Sequence, residues 1–182
     1  MELINGDNTT YIIKGYDSSS SSNLFTGLIP STVTSIIFTD IDIAIDATLI
    51  DEDGDGGVVA WLDTSDNTKM YVSTQYAGIK VEGNSNSSKL FYNNSNLTEL
   101  NLSNFDTTNT INMQSMFSNC TNLASLDLTN FNTIKVGNKF KWITTLNKLG
   151  LVDGTWQDEE GNTYTSSDTF PSNVAHTYTK VS

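Results

Sequence analysis

Residues 97–107, LTELNLSNFDT, recur from position 123 as LASLDLTNFNT, an offset of 26 residues. The two copies agree at their Leu, Phe and Thr positions, which are Leu97, Leu100, Leu102, Phe105 and Thr107 against Leu123, Leu126, Leu128, Phe131 and Thr133. A fixed period of this length indicates stacked coils, each contributing one strand to a common sheet. The stretch therefore predicts one complete coil at 97–122, flanked by partial ones.

The spacing L-x-x-L-x-L assigns the two faces of each predicted strand. Leu100 and Leu102 lie two positions apart, so they share one face of an extended strand and point into the core. Adjacent coils are expected to pair as a parallel ladder with strands about 4.8 Å apart. The residues between the leucines then face solvent and form the candidate binding surface, which consists of Glu99, Asn101, Ser103, Ser125, Asp127 and Thr129.

The segment after each strand is predicted to close the coil as a short helix or turn. Phe105, Met113, Met116 and Phe117 supply apolar side chains there, and the same offset of 26 links Leu90-Phe91 to Met116-Phe117. Cys120 is the only cysteine, which excludes an intrachain disulfide. Its place among apolar repeat positions predicts a buried and inert thiol.

Residues 97–128 resemble the BspA-like leucine-rich repeats of bacterial surface proteins, including the mycoplasma lipoprotein-associated type. The resemblance is carried by Phe105-Asp106-Thr107, Asn112-Met113, Met116-Phe117 and Cys120. It extends more loosely to segments 29–40, 54–63, 70–81 and 162–181. The resemblance implies a scaffold for binding and display whose partners vary, and it implies no particular ligand.

The expected fold class is mainly β with short helices or turns, arranged as a short irregular leucine-rich-repeat solenoid with β-rich N- and C-terminal caps. A solenoid needs about three repeats to be stable, so the flanking segments must close its ends. The expected division is an N-terminal arm or hairpin with a serine linker at 1–22, a BspA-like repeat domain with its N-terminal cap at 23–156, and a C-terminal hairpin cap at 157–182.

The N-terminal region allows two interpretations. Residues 1–16 are predicted to form a hairpin, followed by a polar, flexible stretch with five serines at 18–22. Tyr11, Ile12 and Ile13 could be an anchoring arm that docks on a partner by strand pairing. Alternatively, the same strand packs on its own domain.

The composition excludes several classes of partner. The chain has 9 Lys and Arg against 21 Asp and Glu, a net charge of −12. Such a surface repels phosphate backbones, so no nucleic acid is expected to bind. No apolar run reaches the roughly 18 residues of a membrane span, so no membrane insertion is expected. The beginning, MELINGDNTTYIIKG, lacks the basic and apolar regions of a signal peptide.

Chemistry-bearing motifs are few. Asp51, Asp53 and Asp55 with Gly56 imitate the opening of an EF-hand loop, but Leu62 stands at the twelfth position, where Glu is expected. The three aspartates are therefore only weak calcium candidates, and we interpret the loop as an acidic solvated turn with no metal. His176 is the only histidine, so no zinc pair exists. No catalytic residue and no cofactor are expected.

Two hypotheses about function follow. The first is a non-enzymatic recognition or adhesion module at an extracellular or cell surface, which uses the exposed strand face to bind a protein or glycan. The second is a structural phage virion component, a capsid decoration or fibre protein. Its N-terminal arm would anchor it to a capsid or other virion protein, with the repeat domain displayed outward at the virion surface.

Overall fold

A computed structural model describes residues 10–41, 46–128, 131, 155–165 and 177–182. These residues are mainly β with almost no helix, and their strands form four separate sheets. The predicted MQSMF helix or turn is a succession of turns. The elements are β1 (Tyr16–Asp17), β2 (Ser22–Asn23), a 3₁₀ turn (Thr26–Leu28), β3 (Ser35–Thr39), β4 (Thr48–Leu49), β5 (Val59–Leu62), β6 (Lys69–Ser73), β7 (Val81–Glu82), β8 (Glu99–Asn101), β9 (Phe105–Asp106), β10 (Ser125–Asp127), β11 (Thr155–Gln157), β12 (Thr163–Thr165) and β13 (Thr177–Lys180).

The largest sheet has five strands in the order β4-β5-β6-β3-β8. Its strand β3 lies between β6 and β8 and runs parallel to both, and Ile36 is opposite Met70 on one side and Leu100 on the other. β5 is antiparallel to β4 and β6. Ile36 and Phe38 are buried, as expected of alternate positions on a strand whose inner face covers the core.

The expected ladder between the two repeated strands is not formed. β8 pairs with β3, whereas β10 pairs antiparallel with β13 in a second sheet of order β10-β13-β11-β12. β8 and β10 still contact each other. Parallel pairing is slightly less stable per residue than antiparallel pairing, and the C-terminal strand offers β10 an antiparallel partner. The strands of the two repeats, β8 and β10, thus belong to two different sheets.

The turn-rich segments that precede β8 and β10 do stack on each other with the period of the sequence. The amides of Ser87, Lys89 and Phe91 donate to carbonyls 25 positions further along, those of Asn112, Gln114 and Met116, at 2.8, 3.0 and 2.9 Å. A fourth bond joins Asn93 N–H to the carbonyl of Ser118 at 2.8 Å. Nearby, β7 runs parallel to β9. Residues 87–93 and 112–118, which we call the return segments, are therefore joined by direct backbone hydrogen bonds.

Phenylalanine rings fill the space between the sheets and the return segments. Phe38 and Phe105 lie with ring centroids 5.0 Å apart, and Phe105 and Phe131 lie 6.1 Å apart. Phe25 meets Phe91 edge-on at 6.1 Å. Aromatic pairs of this kind contribute about 0.5–1.5 kcal/mol beyond the burial of their area. The repeated Phe positions thus form one continuous aromatic core.

The N-terminal segment packs on its own domain from residue 10 onward, while residues 1–9 of the predicted hairpin lie outside the described residues. Ile13 is fully buried and its N–H donates to the Glu82 carbonyl at 2.9 Å. The serine-rich stretch forms the turn that joins β1 to β2. The Asp17 carboxylate orders it by accepting hydrogen bonds from both the N–H and the hydroxyl of Ser19 at 2.8 Å.

The predicted C-terminal hairpin is present, but it begins two residues before the expected boundary at 157. β11 and β12 pair antiparallel with Trp156 opposite Tyr164. The turn between them is built around Asp158, which is 4% exposed.

Candidate functional site

The two repeated strands present polar side chains to solvent. Both β8 and β10 show an exposed-buried-exposed alternation, in which Leu100 is 6% and Leu126 is 1% exposed. Of the six residues predicted for the binding surface, Thr129 lies outside the described residues. The other five are exposed: Glu99, Asn101, Ser103, Ser125 and Asp127.

The same side of the five-stranded sheet carries two aromatic residues, the buried Trp61 and the partly exposed Tyr71. Paired residues of neighbouring strands share a face, so the register places Asn101, Ile37, Tyr71 and Trp61 in one row across β8, β3, β6 and β5. The rings of Trp61 and Tyr71 stack with centroids 5.4 Å apart and planes 22° apart. An open groove of about 470 Å³ adjoins Trp61 and is lined also by Leu28 and Pro30.

A second row on this face is polar and charged. The Ser35 hydroxyl donates to Glu99 Oε2 at 2.9 Å, which holds that carboxylate against β3. Lys69 is opposite Ser35 in the register and forms an ion pair with Asp66 at 3.5 Å. The face therefore offers amide and carboxylate groups beside the partly exposed ring of Tyr71, whereas Ser35 and Trp61 are themselves buried. Such a set suits hydrogen bonding and stacking against the ring of Tyr71.

The sequence pattern did not predict that Trp61, Tyr71 and Ser35 lie on this side of the sheet. Trp61 and Tyr71 lie opposite each other on two antiparallel strands, β5 and β6. The row itself depends on the pairing of β3 with β6 and β8, which joins residues 34 and 64 positions apart. A single sequence gives no register between strands so distant along the chain.

The acidic loop after β4 brings three carboxylates together. One carboxylate oxygen each of Asp51, Asp53 and Asp55 lies within 4.8 Å of the others. The interpretation as a solvated turn is wrong for Asp51, which is fully buried. Its Oδ2 accepts a hydrogen bond from Gly56 N–H at 3.1 Å, whereas its buried Oδ1 has no hydrogen-bond partner.

The environments of these carboxylates shift their acidities in opposite directions. A hydrogen bond from the Thr10 hydroxyl to Oδ2, 2.5 Å long, lowers the pKa of Asp53. Desolvation, with the negative charges of Asp53 and Asp51, raises the pKa of Asp55. The cluster thus holds mutually repelling charge that a cation or a proton would relieve.

The remaining predicted residues lie apart from the strand face. Cys120 is buried, and its thiol donates to the carbonyl of Phe91 at 3.0 Å. Burial raises the pKa of this thiol to about 12. Tyr11 meets Tyr76 edge-on at 5.9 Å, and Ile12 bridges to Glu82. His176 lies outside the described residues.

These features define a mainly β protein with an internal repeat of 26 residues and a polar outer face. The family model described as "Mycoplasma protein of unknown function, DUF285" matches residues 64–173. That match covers more than half of the chain, and the chain belongs to the DUF285 family. No curated protein and no solved structure matches it. In the described residues, no helix is long and apolar enough to cross a membrane.

Proposed function

We propose that this chain is a non-enzymatic recognition module, displayed at a cell surface, that binds its target with the outward face of β8, β10 and the adjoining sheet. The observation that carries the proposal is the matched pair of strands. At equivalent repeat positions they bury Leu100 and Leu126 and expose short polar side chains. Short side chains on paired strands lose little conformational entropy when they bind.

Family membership supports display at a surface. DUF285 proteins are related to the BspA-like surface repeat proteins that the repeat resembles. We further infer that the repeats form a short, irregular leucine-rich-repeat solenoid. The backbone hydrogen bonds between return segments 25 positions apart support this inference. The division of β8 and β10 between two sheets makes it an irregular one.

The chemistry of the face favours a neutral, hydroxyl-rich target such as a glycan, or a polar protein surface. Glu99, Asn101 and Asp127 can accept hydrogen bonds, and Tyr71 is a partly exposed aromatic ring. Aromatic rings with polar neighbours suit ligands that combine apolar faces with hydroxyl groups. The net charge of −12 opposes binding to polyanions.

The proposal is tested with a glycan array and with immobilised mucin, using the wild type and two double variants. Asn101→Ala/Asp127→Ala removes two groups from the face. The matched control, Asn109→Ala/Glu159→Ala, removes one amide and one carboxylate from exposed positions outside it. We expect the first variant to lose at least about tenfold in affinity, or about 1.4 kcal/mol, and the control to bind as the wild type does. Equal binding by all three proteins would contradict the proposal.

The second hypothesis, a virion component anchored by Tyr11, Ile12 and Ile13, stays a prediction. Strand pairing of this segment with a capsid protein would require it to give up the hydrogen bonds from Ile13 N–H to Glu82 and from Lys14 N–H to Ile50, 2.9 and 2.8 Å long. We therefore favour display through another part of the chain over anchoring through these residues.

A further inference from the structure

We propose that the loop of residues 51–56 is a calcium site, with carboxylate ligands from Asp51, Asp53 and Asp55, and that the bound ion fastens residues 10–14 to the domain. One buried oxygen atom of Asp51 and the short distances within the cluster support this site.

The buried oxygen is Oδ1 of Asp51. The residue is fully buried, and this oxygen has no hydrogen-bond partner, whereas Oδ2 of the same carboxylate is bonded to Gly56 N–H. An unpartnered carboxylate oxygen in the interior is costly, because it loses its hydration and gains nothing in return. A bound cation supplies the missing interaction.

The separations fit calcium. Carboxylate oxygens bind Ca²⁺ at about 2.3–2.6 Å, so two ligands on opposite sides of one ion lie about 4.6–5.2 Å apart. The three aspartates offer oxygens that all lie within 4.8 Å of one another. The donors are all hard oxygen atoms, which favours Ca²⁺ over Zn²⁺ or Cu²⁺, which prefer His and Cys ligands. The net charge of −12 favours cation binding further.

The loop is also where the N-terminal segment is attached. The Thr10 hydroxyl donates to Asp53, Glu52 N–H donates to the carbonyl of Ile12 at 2.8 Å, and Ile13 bridges to Asp51 in antiparallel register. A side chain at position 57 would collide with the carbonyl of Thr10, so glycine is required for this close approach. An ion that fixes the loop therefore fixes the strand that it holds.

The first measurement is isothermal titration of chelator-treated protein with CaCl₂, repeated with MgCl₂. We expect one calcium site, with weaker binding of Mg²⁺ because Mg²⁺ requires a smaller octahedral cage. Asp53→Asn changes an exposed ligand, so the fold is retained, and we expect at least a tenfold loss of calcium affinity. The matched control is Glu159→Gln, which removes one carboxylate at an exposed position of the C-terminal hairpin and should bind calcium within about twofold of the wild type.

The second measurement is stability. Calcium at about ten times its dissociation constant should raise the Tm by ~3–6 °C. Asp51→Asn should abolish that rise, and hydrogen exchange at the amides of Ile13 and Lys14 should slow when calcium binds. Absence of titration heat together with an unchanged Tm would overturn the calcium site, as would wild-type affinity in Asp53→Asn. Binding without slower exchange at Ile13 and Lys14 would overturn the fastening of the N-terminal segment.

Discussion

The rings of Phe91 and Phe117, 26 positions apart, lie face to face with centroids 5.6 Å apart and planes within 5° of parallel. Both side chains are fully buried. The pair joins successive return segments at the place where Phe91 N–H also bonds to the carbonyl of Met116 at 2.9 Å. The sequence repeat is thus expressed as a physical stack.

Removal of one ring should destabilise the whole domain. We expect Phe117→Ala to lower the free energy of unfolding by about 3–5 kcal/mol, because it leaves a cavity against several other rings. Urea denaturation followed by circular dichroism measures the loss. The control is Ile111→Ala, at a position 45% exposed, which should change stability by less than about 0.5 kcal/mol. Equal losses of unfolding free energy at the two positions would show that the stacked pair does not stabilise the fold.

Gly83 marks a second place where the segments meet closely. A methyl group there would overlap the Thr110 hydroxyl and press on the ring of Phe105. We expect Gly83→Ala to cost about 1–3 kcal/mol through overpacking. Gly27→Ala is the matched control, since nothing lies within 4 Å of its added methyl group. Comparison of the two Tm values decides the point, and a stabilised Gly83→Ala would contradict the close packing.

Asp158 organises the turn of the C-terminal hairpin. Its buried carboxylate accepts hydrogen bonds from the N–H groups of Glu160 and Asn162 at 3.1 and 2.8 Å, and from the Tyr164 hydroxyl at 2.9 Å. Asp158→Ala leaves these donors without their acceptor, so we expect a loss of about 2–4 kcal/mol. Glu159→Ala, at an exposed position in the same turn, should have a much smaller effect on urea denaturation. Similar losses would contradict the role of Asp158.

The protein should become less stable at alkaline pH. Burial raises the pKa of Cys120 from an ordinary value of 9.0 to about 12, and burial with the nearby Asp158 raises that of Tyr164 from 10.0 to about 12. Burial raises the pKa of Tyr178 as well. The unfolded chain therefore releases these protons first, so stability is retained below pH 9 and falls as the pH rises towards 12. Thermal unfolding across this range measures the fall, which Tyr164→Phe should reduce; a Tm independent of pH would contradict it.

The sequence predicted the faces of the repeated strands correctly but not their partners. The inward leucines and the outward polar residues follow from local alternation, which one sequence displays directly. The pairing of β3 with β8 joins residues 64 positions apart. Because this separation is not a multiple of the 26-residue period, the repeat does not predict the pairing. The burial of Asp51 depends on residues 10–13 lying against its loop, a tertiary contact that composition does not reveal.

The burial of the Cys120 thiol has a practical consequence. Because the chain contains one cysteine and it is buried with a raised pKa, maleimide reagents near neutral pH should leave the native protein unmodified. A cysteine placed on the outward face, for example at Asn101 or Asp127, would then be the single reactive position. A fluorophore or cross-linker attached there could report contact with a target molecule directly, without removal of the native sulfur.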